Sequence, residues 1–289
     1  MDHVFGGSWT DDKLLKLAKY LRAYRSIFSH GRASYYKTWY VDAFAGTGHR
    51  VPSAQVKSAV GDEPAYVEAA DYLEGSAKIA LGLDSPFDHY LFVEKSRKRA
   101  EVLESTIKAE FPSLLSRVRI KQEDANTALC EWCKARDWKK ERAVVFLDPY
   151  GMQVDWKTVE ELATTQAVDL WYLFPLGVAR LLTRDGNIDE AWARRLNILF
   201  GVEDWKSRFY QTVTNANLFG EYEETVRDAT VENIQSFIEE RLKTKFAAIA
   251  PSLVLRNSKS SPLFAFCFAA SNEKGAPIAV KIAKDILKS

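Results

Sequence analysis

The amino-acid sequence predicts an α/β fold: a Rossmann-like, doubly wound and mainly parallel sheet of seven strands with helices on both faces. Two features indicate it. Short runs of apolar and β-branched residues, typical of strands buried on both faces, alternate with runs of helical periodicity along most of the chain. No internal repeat or low-complexity linker interrupts this alternation, so residues 1–289 are expected to form one domain.

The elements follow from periodicity and from capping residues. An amphipathic N-terminal helix is expected at 10–30, because Thr10 can cap it and Leu14 and Leu17 begin an apolar face with helical spacing. The predicted strands are 38–44, 89–94, 118–121, 143–147, 168–174, 253–256 and 263–269. Helices are predicted between them at 75–83, 97–110, 126–135 and 156–164.

A long insertion is expected at about 175–250, between the fifth and sixth strands. Its pattern is almost wholly helical, and Val231, Ile234 and Ile238 lie on one face of a helix predicted over 231–249. Two interpretations remain open: a substrate lid or partner surface, and a helical cap that only covers the sheet.

Composition narrows the class of protein. Hydrophobic residues make up 47% of the chain and charged residues 27%, as in globular domains. The formal charge of +1 gives no bulk attraction to nucleic acid or membrane. No apolar run reaches the roughly 20 residues that span a bilayer, and the first residues lack a signal-peptide pattern, so a cytoplasmic protein without membrane contact is expected. Cys130 and Cys133 lie in a helical pattern without further ligands, so no metal is expected.

Four acidic residues stand at or just after the ends of predicted strands: Asp42, Glu94, Asp124 and Asp148. Because the carboxyl ends of parallel strands meet at one rim of the sheet, where such folds bind ligands, these side chains are expected to surround one site.

The first predicted strand breaks into a glycine turn that contains Phe44, Gly46 and Gly48. Glycines let a backbone approach a ligand closely. The turn lacks the third glycine of a dinucleotide fingerprint and the Gly-Lys-Ser/Thr ending of a phosphate-binding loop. A cationic sulfonium ligand, S-adenosylmethionine, suits the carboxylate of Asp42 better than phosphates do. The alternative is a tight turn with a capping acid.

The second and third acids suit the adenosyl part of this cofactor. Glu94 ends a strand in the position from which a carboxylate accepts both hydroxyls of a ribose, although a helix-capping role fits it equally well. Asp124 can accept from the adenine amino group; Glu123 competes for this role, and either residue could instead be a solvated loop acid.

The segment Asp148-Pro149-Tyr150 follows a buried strand. It resembles the fourth motif of class I methyltransferases that modify exocyclic amines, in which an acid or amide precedes two prolines and an aromatic residue. The resemblance implies that Asp148 and the carbonyl of Pro149 orient the target amine and that Tyr150 stacks on the base. Here the second proline of that motif is absent, so the aromatic ring of Tyr150 comes one position earlier than in the motif, and Gly151 follows it.

A closer resemblance covers nearly the whole chain. The segments at 5–14, 42–48, 75–76, 92–94 and 146–151 are similar to those of the three-Cys-motif partner family, whose members occur beside a three-cysteine, radical-SAM-like protein. This resemblance implies S-adenosylmethionine as cofactor and that neighbour as a partner.

Three functions are compatible with these patterns. The first is methyl transfer to an amino nitrogen, with a nucleic acid or nucleotide-like acceptor. The second is a non-catalytic partner module that keeps the fold, which the shortened motif at 148–150 suggests. The third is a nucleotide-dependent oxidoreductase.

Overall fold

A seven-stranded sheet of order β3-β2-β1-β4-β5-β9-β8 forms the centre of the computed structural model, which describes residues 8–46, 75–217 and 220–289. The strands are β1 (Lys37–Asp42), β2 (His89–Val93), β3 (Val118–Lys121), β4 (Glu141–Leu147), β5 (Val168–Pro175), β6 (Tyr210–Asn217), β7 (Gly220–Arg227), β8 (Ala248–Arg256) and β9 (Pro262–Ala270). The helices are α1 (Ser8–Ser29), α2 (Gly75–Leu81), α3 (Arg97–Glu110), α4 (Ala125–Lys134), α5 (Trp156–Thr164), α6 (Glu190–Phe200), α7 (Trp205–Phe209), α8 (Val231–Lys243) and α9 (Ala276–Lys288).

The sheet has the predicted parallel character. Strands β1 to β5 pair in parallel, whereas β9 lies antiparallel between β5 and β8. Since β5 and β8 both run against β9, they share a direction. The seven strands that the sequence predicts are all present, and the α/β, Rossmann-like fold class is confirmed.

Helices cover both faces of the sheet, as a doubly wound fold requires. On β4, Val144 and Phe146 point into a core that α1, α2, α3 and α9 complete. Val145 and Leu147 point the other way, into a core completed by α4 to α8. This alternation explains why the strand reads as one continuous apolar run.

The N-terminal helix lies close to its predicted range, but α1 begins at Ser8, so Thr10 lies inside the helix and the prediction that it caps the helix is wrong. Its buried face contains Leu17, Leu21 and Tyr24, while Leu15 is 52% exposed. Lys13 lies one turn before Leu17 on the same face, and its side chain is therefore carried into the protein, where it is 1% exposed.

The prediction of an almost wholly helical insertion is wrong. Strands β6 and β7 form an antiparallel hairpin in its middle. Tyr210 is aromatic and Thr212, Val213 and Thr214 are β-branched, and these residue types favour a strand.

The predicted helix 231–249 is also too long, because α8 ends at Lys243 and β8 begins at Ala248. The apolar residues Phe246 and Ile249 continue the helical spacing, but pairing of β8 with β9 overrides it. The register of β8 against β9 shifts between Ala250 and Leu253. Pro251 lies in this interval and has no N–H to donate to a neighbouring strand. Within the described residues, no helix combines the length and apolarity needed to cross a membrane.

Candidate active site

A cavity of about 420 Å³ opens at the rim formed by the carboxyl ends of β1 to β4. This size falls within the ~300–1,000 Å³ of small-molecule sites. Segments that follow each of the four strands line this rim cavity. Its described lining residues are Ala43, Phe44, Val93, Glu94, Lys95, Arg99, Glu123, Asp124, Ala125, Asn126, Tyr150, Met152, Gln153, Asp155 and Arg195.

Glu94 follows β2 directly and lines the rim cavity with a side chain that is only 4% exposed. Its Oε1 accepts hydrogen bonds from the Ser96 amide and the Arg99 guanidinium, each at 2.7 Å. Its Oε2 accepts from the Gly46 amide at 3.1 Å. Because a carboxylate oxygen has two lone pairs, the contacts of the described residues leave Oε2 one acceptor site.

Asp124 caps helix α4 and also lines the rim cavity. Its Oδ1 accepts from the amides of Asn126 and Thr127, at 3.0 and 3.4 Å. The side chain is 47% exposed, and Lys95 Nζ lies 3.9 Å from Oδ2. Glu123 lines the same cavity, but Lys121 Nζ lies 3.3 Å from its carboxylate. Asp124 thus combines a capping role with access to the cavity.

Asp42 does not line the rim cavity. It is fully buried at the end of β1, where Oδ1 accepts from the Phe44 amide at 3.2 Å and Oδ2 accepts from the Ser76 hydroxyl at 2.5 Å. Burial raises the pKa of Asp42 to about 7, and the two hydrogen bonds oppose this rise. Asp42 therefore stabilises the glycine turn from a buried position outside the rim cavity.

The glycine turn places Phe44 in the wall of the rim cavity. Gly46 has a φ of 63°, which residues with a Cβ rarely adopt. The Gly46 amide donates to Glu94. In a phosphate-binding loop, such an amide would instead donate to the bound anion. Gly48 lies outside the described residues.

Asp148 follows β4 and points to the same face of the sheet as Asp42. Lys13 Nζ donates to Asp148 Oδ2 at 2.5 Å, and the two side chains are 1% and 10% exposed. Within the described residues, Asp148 Oδ1 accepts no hydrogen bond. Because charges of Lys13 and Asp148 also act on Asp42, these residues and Ser76 form one buried acid cluster.

Tyr150 lines the rim cavity although the motif is one proline short. Pro149 is buried, and the backbone then turns at Gly151, whose φ is 60°. The Tyr150 amide donates to Gln153 Oε1 at 3.2 Å, which ties the start of this turn to its end. Glycine at 151 explains how the chain reverses directly after the aromatic ring.

Six of the nine predicted site residues divide into two adjoining groups; Gly46 and Pro149 lie in neither group, and Gly48 is outside the described residues. Phe44, Glu94, Asp124 and Tyr150 line the rim cavity. Asp42 and Asp148 lie in the buried acid cluster, outside the described lining.

Four basic residues of the site escaped sequence reasoning: Lys95 and Arg99, which line the rim cavity beside Glu94, and Lys13 and Arg195. Lys13 reaches Asp148 across 135 positions. Its place on the apolar face of a predicted helix is the signal that could have revealed it. Arg195 comes from the insertion, whose arrangement the sequence did not predict; its guanidinium donates to Asp155 Oδ1 at 2.7 Å and to the backbone oxygen of Met152.

The cysteine pair of helix α4 is a packing feature. Cys133 is buried, which raises its pKa to about 12 and disfavours the thiolate that metals bind. The described residues contain no cluster of metal-binding side chains.

The sheet order, with β9 antiparallel between β5 and β8, defines a Rossmann-like α/β fold, and the rim cavity lies at the carboxyl ends of its parallel strands. No protein-family model matches the chain, and no curated protein matches it.

Solved structures resemble it at low identity. The chain is similar to an S-adenosylmethionine-dependent methyltransferase from Clostridium acetobutylicum, at 10% identity and a TM-score of 0.39, covering 93% of this chain and 92% of that one. It is similar to a glycopeptide N-methyltransferase complexed with S-adenosylhomocysteine, at 7% and 0.35, covering 86% and 89%. A conserved hypothetical protein from Streptococcus pyogenes matches at 17% and 0.32, over 70% and 93%. At these values, none of the similarities carries an argument about ligand or activity.

Proposed function

We propose that this chain is an S-adenosylmethionine-dependent methyltransferase that acts on an amino nitrogen. One observation carries the proposal: a single cavity of about 420 Å³ gathers the residues that follow four neighbouring parallel strands, with carboxylates after β2 and β3 and an aromatic ring after β4. The ligands of α/β sheets bind at this rim.

The rim cavity suits an adenosyl ligand that carries positive charge. Its described lining has four acids, Glu94, Glu123, Asp124 and Asp155, and three bases, Lys95, Arg99 and Arg195. In this proposal the remaining lone pair of Glu94 Oε2 accepts from a ribose hydroxyl, and Asp124 accepts from the adenine amino group. Since the Gly46 amide is already bonded, a phosphate-bearing dinucleotide fits less well, which disfavours the oxidoreductase.

S-adenosylmethionine supplies an activated methyl group: the methyl–sulfur bond breaks, the electron pair stays on sulfur, a nitrogen–carbon bond forms, and the nitrogen releases a proton to water. Lys13 fixes the Asp148 carboxylate through Oδ2, leaving Oδ1 to accept a hydrogen bond from the amine and orient its lone pair. Asp42 and Ser76 hold the turn behind Phe44.

We further propose that the acceptor is a nucleic acid or nucleotide and that the chain belongs to the three-Cys-motif partner family. The segments at 42–48, 92–94 and 146–151 support the family assignment. A purely non-catalytic partner module is less favoured, because Tyr150 lines the rim cavity despite the shortened motif.

Calorimetric titration with S-adenosylmethionine and S-adenosylhomocysteine tests the cofactor. Glu94→Gln is expected to weaken binding roughly 10- to 100-fold, since a charge-assisted hydrogen bond contributes ~1.5–3 kcal/mol. Glu203→Gln, an exposed position outside the cavity, is the matched control and should bind like the parent. Thermal unfolding of both variants separates lost affinity from lost folding. Absence of binding by the folded parent protein would refute the proposal.

A further inference from the structure

A second cavity, of about 480 Å³, adjoins the rim cavity and shares Tyr150, Met152, Gln153 and Arg195 with it. Its outer wall comes from the insertion: the 3-10 helix Leu176–Arg180 that follows β5, and helix α6. The other described residues that line this insertion cleft are Gly151, Pro175, Gly177, Val178, Arg180, Leu181 and Trp192. A ligand in the insertion cleft would therefore touch the same aromatic ring as a ligand in the rim cavity.

Aromatic and aliphatic groups dominate the insertion cleft. Trp192 is 47% exposed, although Leu196 and Leu199 on the same helix are buried in the core. Trp192 lies on the same face of α6 as these leucines, but in the first turn of the helix, where it borders the insertion cleft and stays exposed. A large, rigid aromatic surface at a cleft is typical of a recognition site for planar ligands.

The charge of the insertion cleft differs from that of the rim cavity. Its described lining contains two guanidinium groups, Arg180 and Arg195, and no carboxylate. Arg195 is held in the wall between the two cavities by Asp155 and by the backbone oxygens of Met152 and Val154. An alkylamine, such as a lysine side chain, is a cation and finds no counter-charge in this lining, whereas a neutral planar base next to a phosphate is compatible with it.

We propose that the insertion cleft is the acceptor site and binds an unpaired nucleobase with its adjacent phosphate; this rests on the proposed function. Trp192 and Tyr150 supply stacking surfaces for the base, and Arg180 lies near enough to the cleft to attract the phosphate. In this proposal the amino group of the base is directed toward the end of β4, where Asp148 precedes Tyr150 by two residues. The insertion thereby selects the acceptor, while the strand ends hold the methyl donor.

Fluorescence anisotropy with a labelled single-stranded oligodeoxyadenylate measures this binding, in the presence of S-adenosylhomocysteine. Trp192→Ala is expected to weaken binding roughly 5- to 100-fold, the usual effect of losing one stacking platform. Ile198→Ala is the matched control, because Ile198 lies on the same helix, is also 47% exposed and does not line the cleft. Equal affinities of the two variants would overturn the proposal.

Salt dependence tests the phosphate contact. Arg180→Gln should reduce the slope of log affinity against log salt by about 0.7, the value for one phosphate contact on a single strand. Arg194→Gln, an exposed arginine of α6 outside the cleft, should leave the slope unchanged. Identical slopes for the two variants would refute the role of Arg180.

Competition identifies the source of the base. Displacement by adenosine 5′-monophosphate supports a free-nucleotide acceptor, and displacement by unlabelled single strand alone supports a nucleic acid. Displacement by a short peptide that contains one lysine and carries no net positive charge, at comparable concentration, overturns the proposal. If S-adenosylhomocysteine binds by calorimetry but no probe binds, the acceptor inference fails and the proposed cofactor site stands; absence of S-adenosylhomocysteine binding instead refutes the proposed function.

Discussion

Replacement of Lys13 by methionine should destabilise the protein strongly. Its ammonium lies 2.5 Å from Asp148 Oδ2, with side-chain exposures of 1% and 10%, and it also lies 5.4 Å from the Trp9 ring centre. Methionine has similar volume but leaves the carboxylate of Asp148 buried without a counter-charge. Breaking a buried pair from one side costs ~3–5 kcal/mol, a large part of the ~5–15 kcal/mol that typically separates folded from unfolded states.

Urea unfolding at neutral pH, followed by circular dichroism, measures this loss. The double variant Lys13→Met, Asp148→Leu should recover most of it, because an apolar pair of similar volume replaces a buried ion pair at little net cost. Lys78→Met is the control: it breaks the 2.8 Å pair with Glu110, whose side chains are 35% and 41% exposed. Such surface pairs contribute ~0–1 kcal/mol.

Two results would refute this reasoning. One is a Lys13→Met variant no less stable than Lys78→Met. The other is a double variant as unstable as the single one, which would mean that lost packing around Lys13, and not the unpaired carboxylate of Asp148, causes the effect.

Three further predictions follow from the same region. The pKa of Asp42 is raised from 3.8 to about 7, so between these values the folded state retains a proton that the unfolded state loses, and stability should fall as pH rises from about 4 to 7. In urea unfolding, Asp42→Asn should abolish this part of the pH dependence. An unchanged dependence of the unfolding free energy on pH would contradict the prediction. Asp148→Asn also removes the counter-charge of Lys13, so it is assayed at a temperature where thermal unfolding shows the variant to be folded. It should then lower the rate of methyl transfer at least tenfold without changing calorimetric affinity for S-adenosylmethionine, since Asp148 does not line the rim cavity; an equal loss of affinity would contradict the assigned role. Tritium from labelled S-adenosylmethionine should reach a mixed-sequence oligonucleotide but not oligothymidylate, which has no exocyclic amine, and labelling of both would exclude an amino acceptor.

The sequence predicted the sheet well because its signal is local. Each of the first five strands is a short apolar run buried on both faces, as on β4, where Val144 and Val145 face opposite cores. The position of Glu94, Asp124 and Tyr150 at one rim was predictable for the same reason: they follow these runs closely, and parallel strands bring their carboxyl ends together.

The remainder depends on contacts between distant parts of the chain. The hairpin β6–β7 and the short α8 required knowledge of strand pairing, which outweighed the helical spacing of Phe246 and Ile249. Helix α9 was not assigned, although Pro277 in its first turn is a usual start signal. The contact of Lys13 with Asp148 needed the packing of α1 on the sheet, which local periodicity does not supply.

A crystal structure of the protein with S-adenosylhomocysteine tests the central claim most directly. The account predicts the ligand in the rim cavity, with ribose hydroxyls donating to Glu94, the adenine beside Asp124 and the sulfur turned toward Tyr150 and the end of β4. A ligand bound elsewhere on the protein, or in the rim cavity without contact to Glu94, would contradict it.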